Sequence, residues 1–397
     1  MLKVDVIVVG AGPVGTVAAY VLAKQGIRVA ICEAGTTHAM DLRASTFHPP
    51  TLEMLDELGV AQQIIDYGLT APKYHFRERQ SGQVIEFDMS DIAAETRFPF
   101  RVQCEQHVMA GMLSERLEDH DLAHVLYEHR ALGFEQSDEG VEAWFETPYC
   151  VEKISARYII GADGGNSLIR KWVGAQFSGF TYPEKFLCLS TETELADHIP
   201  NLAYVNYVAD PQEWLVLLRV PSVWRILLPA SEQTPDEELL ADAMKEAVFE
   251  RLIGKRDVTT SHRTIYRVHQ RVVDNFSHGR AFLVGDAAHL NNPLGGLGMN
   301  SGIHDVWNLQ AKIAHCLSHG HDPELFERFD RQRRTVTNAF IQAQTMQNKQ
   351  LLEHGAAEGH ARRFEKMQAT RDDPIQRHDF LMRQSMLNSL KDAEQII

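Results

Sequence analysis

A glycine-rich turn near the start of the chain carries the residue types that bind a dinucleotide. The motif GAGPVG places Gly10, Gly12 and Gly15 directly after the apolar run 4–9. Glycines at this spacing allow a tight turn, the close approach of a pyrophosphate and the packing of a helix on a strand. Glu33 follows the motif by about 20 residues, where a carboxylate can accept hydrogen bonds from ribose hydroxyls. A purely structural turn is the alternative, but the strand, helix and second strand around the motif argue against it. The candidate dinucleotide-binding residues are Gly10, Gly12, Pro13, Val14, Gly15, Glu33 and Ala34.

A second glycine-rich segment lies at 281–302 and has the sequence AFLVGDAAHLNNPLGGLGMNSG. It predicts a short buried strand at 281–284, an acidic turn, a loop of Asn, Pro and Gly, and a helix that begins near Met299. Glycine at 295, 296 and 298 lets the backbone approach a bound group, and the start of the helix favours negative charge. A cofactor that becomes anionic, such as a reduced flavin, suits this arrangement; a turn that binds nothing is the alternative. The candidate cofactor-binding residues here are Gly285, Asp286, Pro293, Gly296, Gly298, Met299 and Asn300.

Two sites between these segments are further candidates for cofactor contacts. The sequence GADGG at 161–165 is another glycine-rich turn, with Asp163 and Gly164 at its centre. Such a turn can bind a phosphate or a ribose, or can simply be tight. Arg43 lies in a loop just after the acidic residue of the first unit, where it could meet a cofactor phosphate. A single arginine in such a loop is otherwise a solvated surface residue.

The elements around these motifs predict an α/β fold. The apolar run 4–9, a helix at 17–24 and a β-rich run at 27–32 form a Rossmann-like unit. A hairpin is predicted at 74–89, and the aromatic-rich stretch 182–271 predicts a mostly antiparallel sheet that covers the nucleotide domain. We therefore predict a Rossmann-like FAD-binding domain, an interleaved, mostly antiparallel substrate domain and a helical C-terminus. The predicted segments are 1–72, 101–180 and 272–345 for FAD, 73–100 and 181–271 for substrate, and 346–397 for the helical end.

Composition and charge exclude several classes of partner. The chain has 397 residues and a formal net charge of −15, which argues against nucleic acid or an anionic membrane surface. No apolar run approaches the ~20 residues of a membrane helix, and we expect no signal peptide. The five cysteines are scattered without a CxxC pair, so we expect reduced thiols, no disulfide framework and no metal site. This balance is typical of a cytoplasmic enzyme.

The three motifs GAGPVG, GADGG and GDAAH, as a set, resemble the single-component (class A) FAD-dependent aromatic hydroxylases, the para-hydroxybenzoate hydroxylase-like family. The resemblance covers residues 3–345, and the stretch 267–289 is similar to hydroxylases of phenols and phenylpropanoids. It implies FAD as the cofactor and NAD(P)H as a co-substrate that binds transiently without its own Rossmann unit. The implied FAD contacts are Gly10, Gly12, Gly15 and Glu33 for adenosine, Arg43 for pyrophosphate, Gln106 and Asp286 for the ribityl chain, Asp163 and Gly164 for FAD and nicotinamide, and 293–300 for the ring.

The reaction that this resemblance implies is hydroxylation of an aromatic ring, either phenolic or N-heteroaromatic. NAD(P)H reduces FAD, O2 adds to give a flavin C4a-hydroperoxide, and the electron-rich ring attacks its distal oxygen. Two alternatives are a related FAD oxidoreductase (a reductase, a dehydrogenase or a halogenase) and a flavin-binding protein without turnover. A halogenase would want a WxWxIP-like segment, which Trp224-Arg225-Ile226 does not supply.

The substrate side is less specific in the sequence. A group that deprotonates or hydrogen-bonds a ring hydroxyl would help, and Tyr204, Tyr207 and His48 are candidates by region, each with a structural role as the alternative. Asn292 and Pro293 lie beside the expected flavin and substrate. Asn292 stands where the family often has proline, and a leucine at 297 where it often has glutamine, so the class of substrate is put in doubt. Residues 352–397 either cover the active site or form a contact in a homodimer.

Overall fold

A six-stranded, mostly parallel sheet, which we call the nucleotide sheet, forms the base of the fold. The structure is a computed structural model that describes residues 1–40, 44–79, 81–210, 214–352 and 357–397. In order across the sheet, the strands are Ser277–His278, Ala281–Leu283, Tyr158–Gly161, Val6–Val9, Val29–Cys32 and Ala123–Leu126. Neighbours are parallel except for the antiparallel pair at the Ser277–His278 edge. Because the three motif-bearing strands lie side by side, GAGPVG, GADGG and GDAAH leave the sheet at the same carboxyl edge, where α/β folds bind their ligands.

Three helices pack with this sheet in one hydrophobic core. They are Pro13–Lys24, Gln106–Glu118 and Leu297–His319. The first of them contacts the other two. Pro13 occupies its first turn, where a missing N–H costs nothing and the fixed φ suits a helix. The strands beneath are continuous buried apolar runs, as expected for a parallel sheet covered on both faces.

An eight-stranded sheet, which we call the large sheet, forms the second half of the molecule. Its order is His289–Leu290, His262–Val273, Phe177–Thr191, Trp224–Ser231, Leu215–Arg219, Val205–Ala209, Lys73–Glu78 and Val84–Asp88. All pairs are antiparallel except Val205–Ala209 with Lys73–Glu78, so the predicted mostly antiparallel sheet and the predicted hairpin are confirmed. His289 ends the GDAAH motif, and this motif therefore connects the two sheets.

The two faces of the large sheet are both buried, against different partners. One face packs against the helices Asp236–Leu240 and Asp242–Ile253. The other carries a cluster of rings that we call the aromatic face, made of Tyr74, Phe76, Phe87 and Tyr207. Residues of the C-terminal helices pack on this aromatic face.

Two smaller sheets complete the β-structure of the described residues. The four-stranded one has the order Leu2–Lys3, Val151–Ala156, Val141–Glu146 and Arg130–Gln136. The three-stranded one has the order Thr46–Phe47, Arg101–Gln103 and Leu69–Ala71. The remaining short helices are Pro49–Glu57, Ala61–Tyr67 and Leu168–Trp172, with 3-10 turns at Met89–Ile92, Leu195–Asp197 and Gly285–Ala287.

The C-terminal quarter of the chain is helical, as predicted, and lies over the aromatic face. Its helices are Pro323–Val336, Ala343–Leu352, Ala357–Asp372, Pro374–Gln384 and Leu387–Gln395, with a π-helical turn at Thr337–Gln342. The Phe380 ring lies 4.7 Å from the Phe87 ring, and Arg377 donates to the Asp91 carboxylate at 2.6 Å. Whether residues 352–397 cover the active site or form a contact in a homodimer stays a prediction.

Several element boundaries differ from the sequence predictions for identifiable reasons. The helices predicted at 17–24 and near Met299 begin earlier, at Pro13 and Leu297, because each starts directly after a glycine. The π-helical turn separates the helices Pro323–Val336 and Ala343–Leu352, and Ala241, which has an extended conformation, separates Asp236–Leu240 from Asp242–Ile253. The division into six segments stays a prediction.

Three expected absences can be compared with the described residues. All five cysteines are free thiols. No group of three or more potential metal ligands occurs in the described part of the chain. Among the helices described, none has the length and apolar character needed to cross a membrane.

Candidate active site

The first glycine turn packs directly against the two later motifs. A Cβ on Gly10, which has φ +102°, would lie 2.5 Å from the carbonyl oxygen of Ala162, in the GADGG turn. A Cβ on Gly302 would lie 2.6 Å from a methyl of Val14 and 2.8 Å from the Cα of Gly285. The regions that the sequence assigns to opposite ends of one cofactor are therefore joined in a single structural unit.

The three glycines of GAGPVG are required for different reasons. A Cβ on Gly15 would lie 1.9 Å from the carbonyl oxygen of Gly10, so this glycine allows the helix to pack on the turn. Gly12 has an ordinary φ of −77°, and the nearest atom to its added Cβ is the Ala39 Cβ at 3.9 Å. Neither backbone strain nor protein packing explains glycine here. Open space beside the N-terminus of Pro13–Lys24 fits a pyrophosphate, and the N–H groups of Val14 and Gly15 belong to the first helical turn that such a group would meet.

Glu33 ties the first turn to the loop that follows the second strand. One carboxylate oxygen accepts from the N–H of Ala11 at 2.8 Å, and the other accepts from the N–H of Gly35 at 2.9 Å. Each oxygen keeps a second lone pair, and Glu33 is half-buried beside the exposed Ala34, so both oxygens can still accept from a ribose.

The carboxylate of Asp163 is engaged within its own turn. It accepts from the hydroxyl of Ser167 at 2.5 Å and from the N–H groups of Leu168 and Ile169 at 2.7 and 3.1 Å. Burial raises its pKa despite these hydrogen bonds. Asp163 therefore organises the turn and caps the helix that follows. Gly164, with φ +75° and open space around its Cβ position, leaves room for a ligand.

Gln106 begins the helix Gln106–Glu118 and is buried at the edge of the three-stranded sheet. Its N–H donates to the carbonyl of Ala44 at 3.1 Å. It thus lies beside the segment that follows Arg43, which itself lies outside the described residues.

A buried charged cluster holds the GDAAH turn in place. Asp305 accepts from the N–H of Gly285 at 3.0 Å, from His289 Nε2 at 2.8 Å and from Arg333 Nε at 2.7 Å. All three side chains of this cluster are at most 1% exposed. Burial pushes the pKa of Asp305 upward, but the charges and hydrogen bonds of His289 and Arg333 more than offset it, so the net shift is downward. The cluster fixes the turn that presents the half-buried Asp286.

The loop 293–300 is held by protein contacts as well as by glycine geometry. Gly295 and Gly296 have φ +102° and +67°, and a Cβ on them would lie 2.7 Å from Asn348 Nδ2 and 2.8 Å from Thr46 Cβ. Protein packing thus already requires glycine at both positions. The approach of a bound group, which the sequence suggests as the reason for these glycines, is not needed to explain them. Gly298 is looser, since its Cβ would lie 3.3 Å from Asn291 Oδ1.

The two residues that follow Gly298 are also turned toward the protein. Met299 is buried in the core. The Asn300 amide donates to the carbonyls of Thr46 and Gly296 at 2.8 and 2.7 Å and accepts from the N–H of His48 at 3.0 Å. Pro293 is the exposed residue of this loop. Contacts from Met299 and Asn300 to a cofactor would come from the backbone, because their side chains serve the fold.

His48 and Tyr207 are buried, whereas Tyr204 is exposed. The Nε2–H of His48 donates to the carbonyl of Gly295 at 2.8 Å, so its Nδ1 carries the lone pair, and this buried atom has no hydrogen-bond partner among the described residues. Burial and the charge of Arg101 hold the pKa of His48 well below its usual range. Tyr207 stacks on Phe76 in the aromatic face, with centroids 5.1 Å apart. Tyr204 is 41% exposed, which does not suit a site that must exclude water.

Asn292 is fully buried in a network that anchors the loop to the large sheet and the C-terminal helices. Its amide nitrogen donates to the carbonyl of Thr345 at 3.0 Å and to the hydroxyl of Tyr182 at 3.3 Å. Its backbone N–H donates to Gln270 Oε1 at 3.1 Å, and its Oδ1 accepts from the N–H of Leu294. The departure from proline at this position therefore serves to hold the loop.

Arg101 and Tyr74 are candidate site residues that the sequence motifs do not indicate. The Arg101 guanidinium lies 4.3 Å from the centre of the Tyr74 ring, and both side chains are about 1% exposed. The only available signal was a charged residue opening the short strand Arg101–Gln103, directly after the apolar FPF at 98–100.

Comparison with known proteins identifies the family. The model of the FAD binding domain family matches residues 3–344. The chain belongs to this FAD-binding family. It is 28% identical over 337 residues to the para-nitrophenol 4-monooxygenase of Pseudomonas sp. strain WBC-3, covering 83% of each protein. It is also 28% identical over 368 residues to the 6-hydroxy-3-succinoylpyridine 3-monooxygenase HspB of Pseudomonas putida, covering 89% of this chain and 90% of that one.

Solved structures of the family share the fold. The p-nitrophenol 4-monooxygenase PnpA from Pseudomonas putida DLL-E4 superposes with a TM-score of 0.91 at 24% identity and covers 99% of both chains. The flavin-dependent monooxygenase PieE, solved with FAD and substrate, superposes with a TM-score of 0.81 at 21% identity. The resemblance to FAD-dependent aromatic hydroxylases is confirmed, and this family member is an FAD-dependent monooxygenase with NAD(P)H as co-substrate.

Proposed function

We propose that this enzyme hydroxylates the ring of a phenol or a hydroxypyridine at the junction between the loop 293–300 and the aromatic face. The observation that carries the proposal is His48, which bonds to the loop through Nε2 and keeps a buried, unpartnered Nδ1. The names of the two relatives, which act on a nitrophenol and on a hydroxypyridine, support the same class of ring.

The residues around the first turn fit FAD. When bound, FAD accepts the reducing equivalents of NAD(P)H and delivers one oxygen atom of O2 to the ring. Gly12 leaves space for the pyrophosphate, and Glu33 keeps lone pairs for ribose hydroxyls. Asp286 and the loop 293–300 would hold the ribityl and ring ends, and the cluster around Asp305 fixes the turn that carries Asp286.

His48 acts on the ring hydroxyl as a hydrogen-bond acceptor. An electron-rich ring is hydroxylated faster. A ring hydroxyl that donates a hydrogen bond to Nδ1 gains phenolate character, which raises the electron density of the ring. Because burial and Arg101 lower the pKa of His48, Nδ1 polarises the O–H bond without keeping the proton in the resting state. The bond from Nε2 to Gly295 fixes the tautomer that this role requires.

The aromatic face and the C-terminal helices exclude water from this junction. Tyr74, Phe87 and Tyr207 are all buried, and Phe380 closes the group from the C-terminal side. A dry wall protects the reactive oxygen from release as hydrogen peroxide.

A panel of phenols and hydroxypyridines, added to the purified yellow protein with NADH or NADPH, tests the proposal. Oxygen uptake with a product one oxygen heavier is the expected result for at least one compound. NAD(P)H oxidation without an oxygenated product from any compound, or no ligand-stimulated oxidation at all, would favour the reductase or the binding-protein alternative.

The role of His48 is tested by a pair of variants. His48→Gln can keep the donor to Gly295 but loses the acceptor at the Nδ1 position, and we expect hydroxylation to slow by about 100-fold, at the lower end of proton-transfer effects. His48→Asn, which keeps an acceptor near Nδ1, should lose less. Above the pKa of the substrate hydroxyl the ring arrives as phenolate, so the deficit of His48→Gln should shrink; a deficit that is independent of pH would assign His48 a structural role.

Two further proposals concern the setting of the enzyme. A cytoplasmic location is supported by the free thiols, including the exposed Cys150. We also propose a homodimer, and sedimentation of the holoenzyme tests it.

A further inference from the structure

Arg101 is a buried charge that has no partner in the part of the chain that the structure describes. Its side chain is 1% exposed, and Nε, Nη1 and Nη2 all have no hydrogen-bond partner among the described residues. No carboxylate of the described chain lies within 4.0 Å of it. A buried guanidinium normally has its donors paired, because leaving a charge unpaired in the interior is strongly destabilising. Three unpaired donors on one side chain therefore indicate a missing acceptor.

The surroundings of Arg101 place that acceptor at the junction between the loop 293–300 and the aromatic face, which we call the substrate chamber. The strand Arg101–Gln103 pairs with Thr46–Phe47, and the next residue, His48, bonds to Gly295 in the loop. On its other side, the guanidinium lies over the ring of Tyr74, which contacts Tyr207 in the aromatic face. The guanidinium thus lies between the ring end of the FAD site and the aromatic wall.

Two neutral polar atoms in the same region also lack hydrogen-bond partners among the described residues. They are the hydroxyl of Tyr74 and Nδ1 of His48, both buried. A ligand with one anionic oxygen group and one hydroxyl could satisfy all of these atoms together. A purely apolar ring would leave the guanidinium unpaired.

We propose that Arg101 binds an anionic oxygen group, a carboxylate or a phenolate, on the aromatic substrate. The inference rests on the proposed function, since it takes the chamber to be the substrate site. The planar fork of a guanidinium can donate two parallel hydrogen bonds to a carboxylate, or converging ones to a phenolate. The ring of Tyr74 lies against the guanidinium and stabilises its charge by a cation–π contact.

Arg101→Met tests the proposal in the FAD-loaded enzyme, because methionine keeps an unbranched apolar stem without charge. The probes are two matched pairs, 4-nitrophenol with 4-nitroanisole, and 3-(3-hydroxyphenyl)propionate with its methyl ester, measured by calorimetric titration. We expect binding of at least one anion to weaken roughly 10- to 150-fold, the loss for hydrogen bonds to a charged group, while its neutral partner changes little. The pair that responds identifies phenolate or carboxylate. Arg101→Lys should recover part of the loss.

A second readout does not depend on the choice of probe. Without ligand, Arg101→Met should be at least as resistant to urea as the wild type, because the variant removes an unpaired buried charge. The control is Arg280→Met: Arg280 is also buried but donates to the carbonyls of Ser137 and Asp138, so this change should lower stability and leave probe selectivity unaltered.

Three results would overturn the proposal. The first is a ligand-free Arg101→Met that is clearly less stable than the wild type, which would mean that the guanidinium has a partner in the protein. The second is equal weakening of the charged and neutral probes, or no preference for either anion in the wild type. The third is loss of FAD affinity with probe binding intact, which would assign Arg101 to the cofactor. Failure of the proposed function would look different: probes would bind with the predicted selectivity, but no oxygenated product would form.

Discussion

Gly12→Ala should separate cofactor binding from folding in this protein. Among the described residues, the added methyl would meet only the Cβ of Ala39, at 3.9 Å, which is ordinary contact. The backbone of Gly12 has φ −77° and ψ −179°, a conformation that alanine adopts without strain. Alanine restricts the unfolded chain, which stabilises by about 0.4–1 kcal/mol, but it is a poorer helix N-cap than glycine by a similar amount. We therefore expect the free energy of unfolding to change by less than about 1 kcal/mol.

The same methyl should obstruct the pyrophosphate of FAD. If the space beside Gly12 holds that group, the Cβ enters a region that the cofactor fills, and overpacking of this kind costs about 1–3 kcal/mol. The dissociation constant of FAD should then rise roughly 5- to 150-fold. The measurements are a titration of the FAD-free protein with FAD, followed by fluorescence, and urea unfolding of the same sample.

Two other glycines serve as controls. Gly15→Ala places a Cβ 1.9 Å from the carbonyl oxygen of Gly10, so it should lose both FAD and stability. Gly26→Ala lies in open space at φ +82°, so it should cost stability without weakening FAD. Wild-type affinity for FAD in Gly12→Ala would refute the placement of the pyrophosphate, and a loss of stability like that of Gly15→Ala would refute the packing argument.

Two further changes probe the late motif. Asp286→Ala should leave the purified protein colourless, as judged by its visible absorbance, and a fully yellow variant would contradict the placement of this site. Asp305→Asn removes the carboxylate that pairs with the buried charge of Arg333, and its amide N–H groups would point at a neighbouring hydrogen-bond donor. The free energy of unfolding in urea should therefore fall by about 3–5 kcal/mol. A loss below 1 kcal/mol would mean that the cluster is not structurally important.

The nucleotide half of the fold could be predicted because its signals are local and sit on strands that pair in parallel. Each of the three motifs follows a buried apolar run, and their shared carboxyl edge follows from parallel pairing. The strands Thr46–Phe47 and Arg101–Gln103 could not be predicted in this way. They have two and three residues, too few for any periodicity, and are defined by a pairing between distant parts of the chain.

The parts of the site that depend on sequence motifs could be predicted, whereas the buried side chains around them could not. Gly12, Glu33 and Asp286 follow from motif spacing, and the structure places them around one edge of the nucleotide sheet. Arg101 could not be predicted, because a single arginine is normally a surface residue and its burial exists only in the folded chain. Tyr204 and Tyr207 both lie in an aromatic-rich region of the sequence, and only the folded chain distinguishes the exposed Tyr204 from the buried Tyr207.

The loop 293–300 is the physical link between the two halves of the site. Asn300 bonds this loop to Thr46 and His48, Asn292 bonds it to Gln270 and Thr345, and Asn348 donates to the carbonyl of Leu294. These side-chain amides satisfy backbone groups that a glycine-rich loop would otherwise leave unpaired in the interior.

A loop held by Asn292, Asn300 and Asn348 cannot shift without also moving His48, which is bonded to it. Asn348 in turn accepts from Gln384, so the C-terminal helices belong to the same network. Asn292, which stands in place of proline, lies where the loop meets these helices. Proline has neither the backbone N–H that donates to Gln270 nor the side-chain amide that donates to Thr345. The departure from the family motif therefore reflects how this chain joins the loop to the large sheet and the C-terminal helices, while the glycine turns proposed to hold the cofactor keep the family pattern.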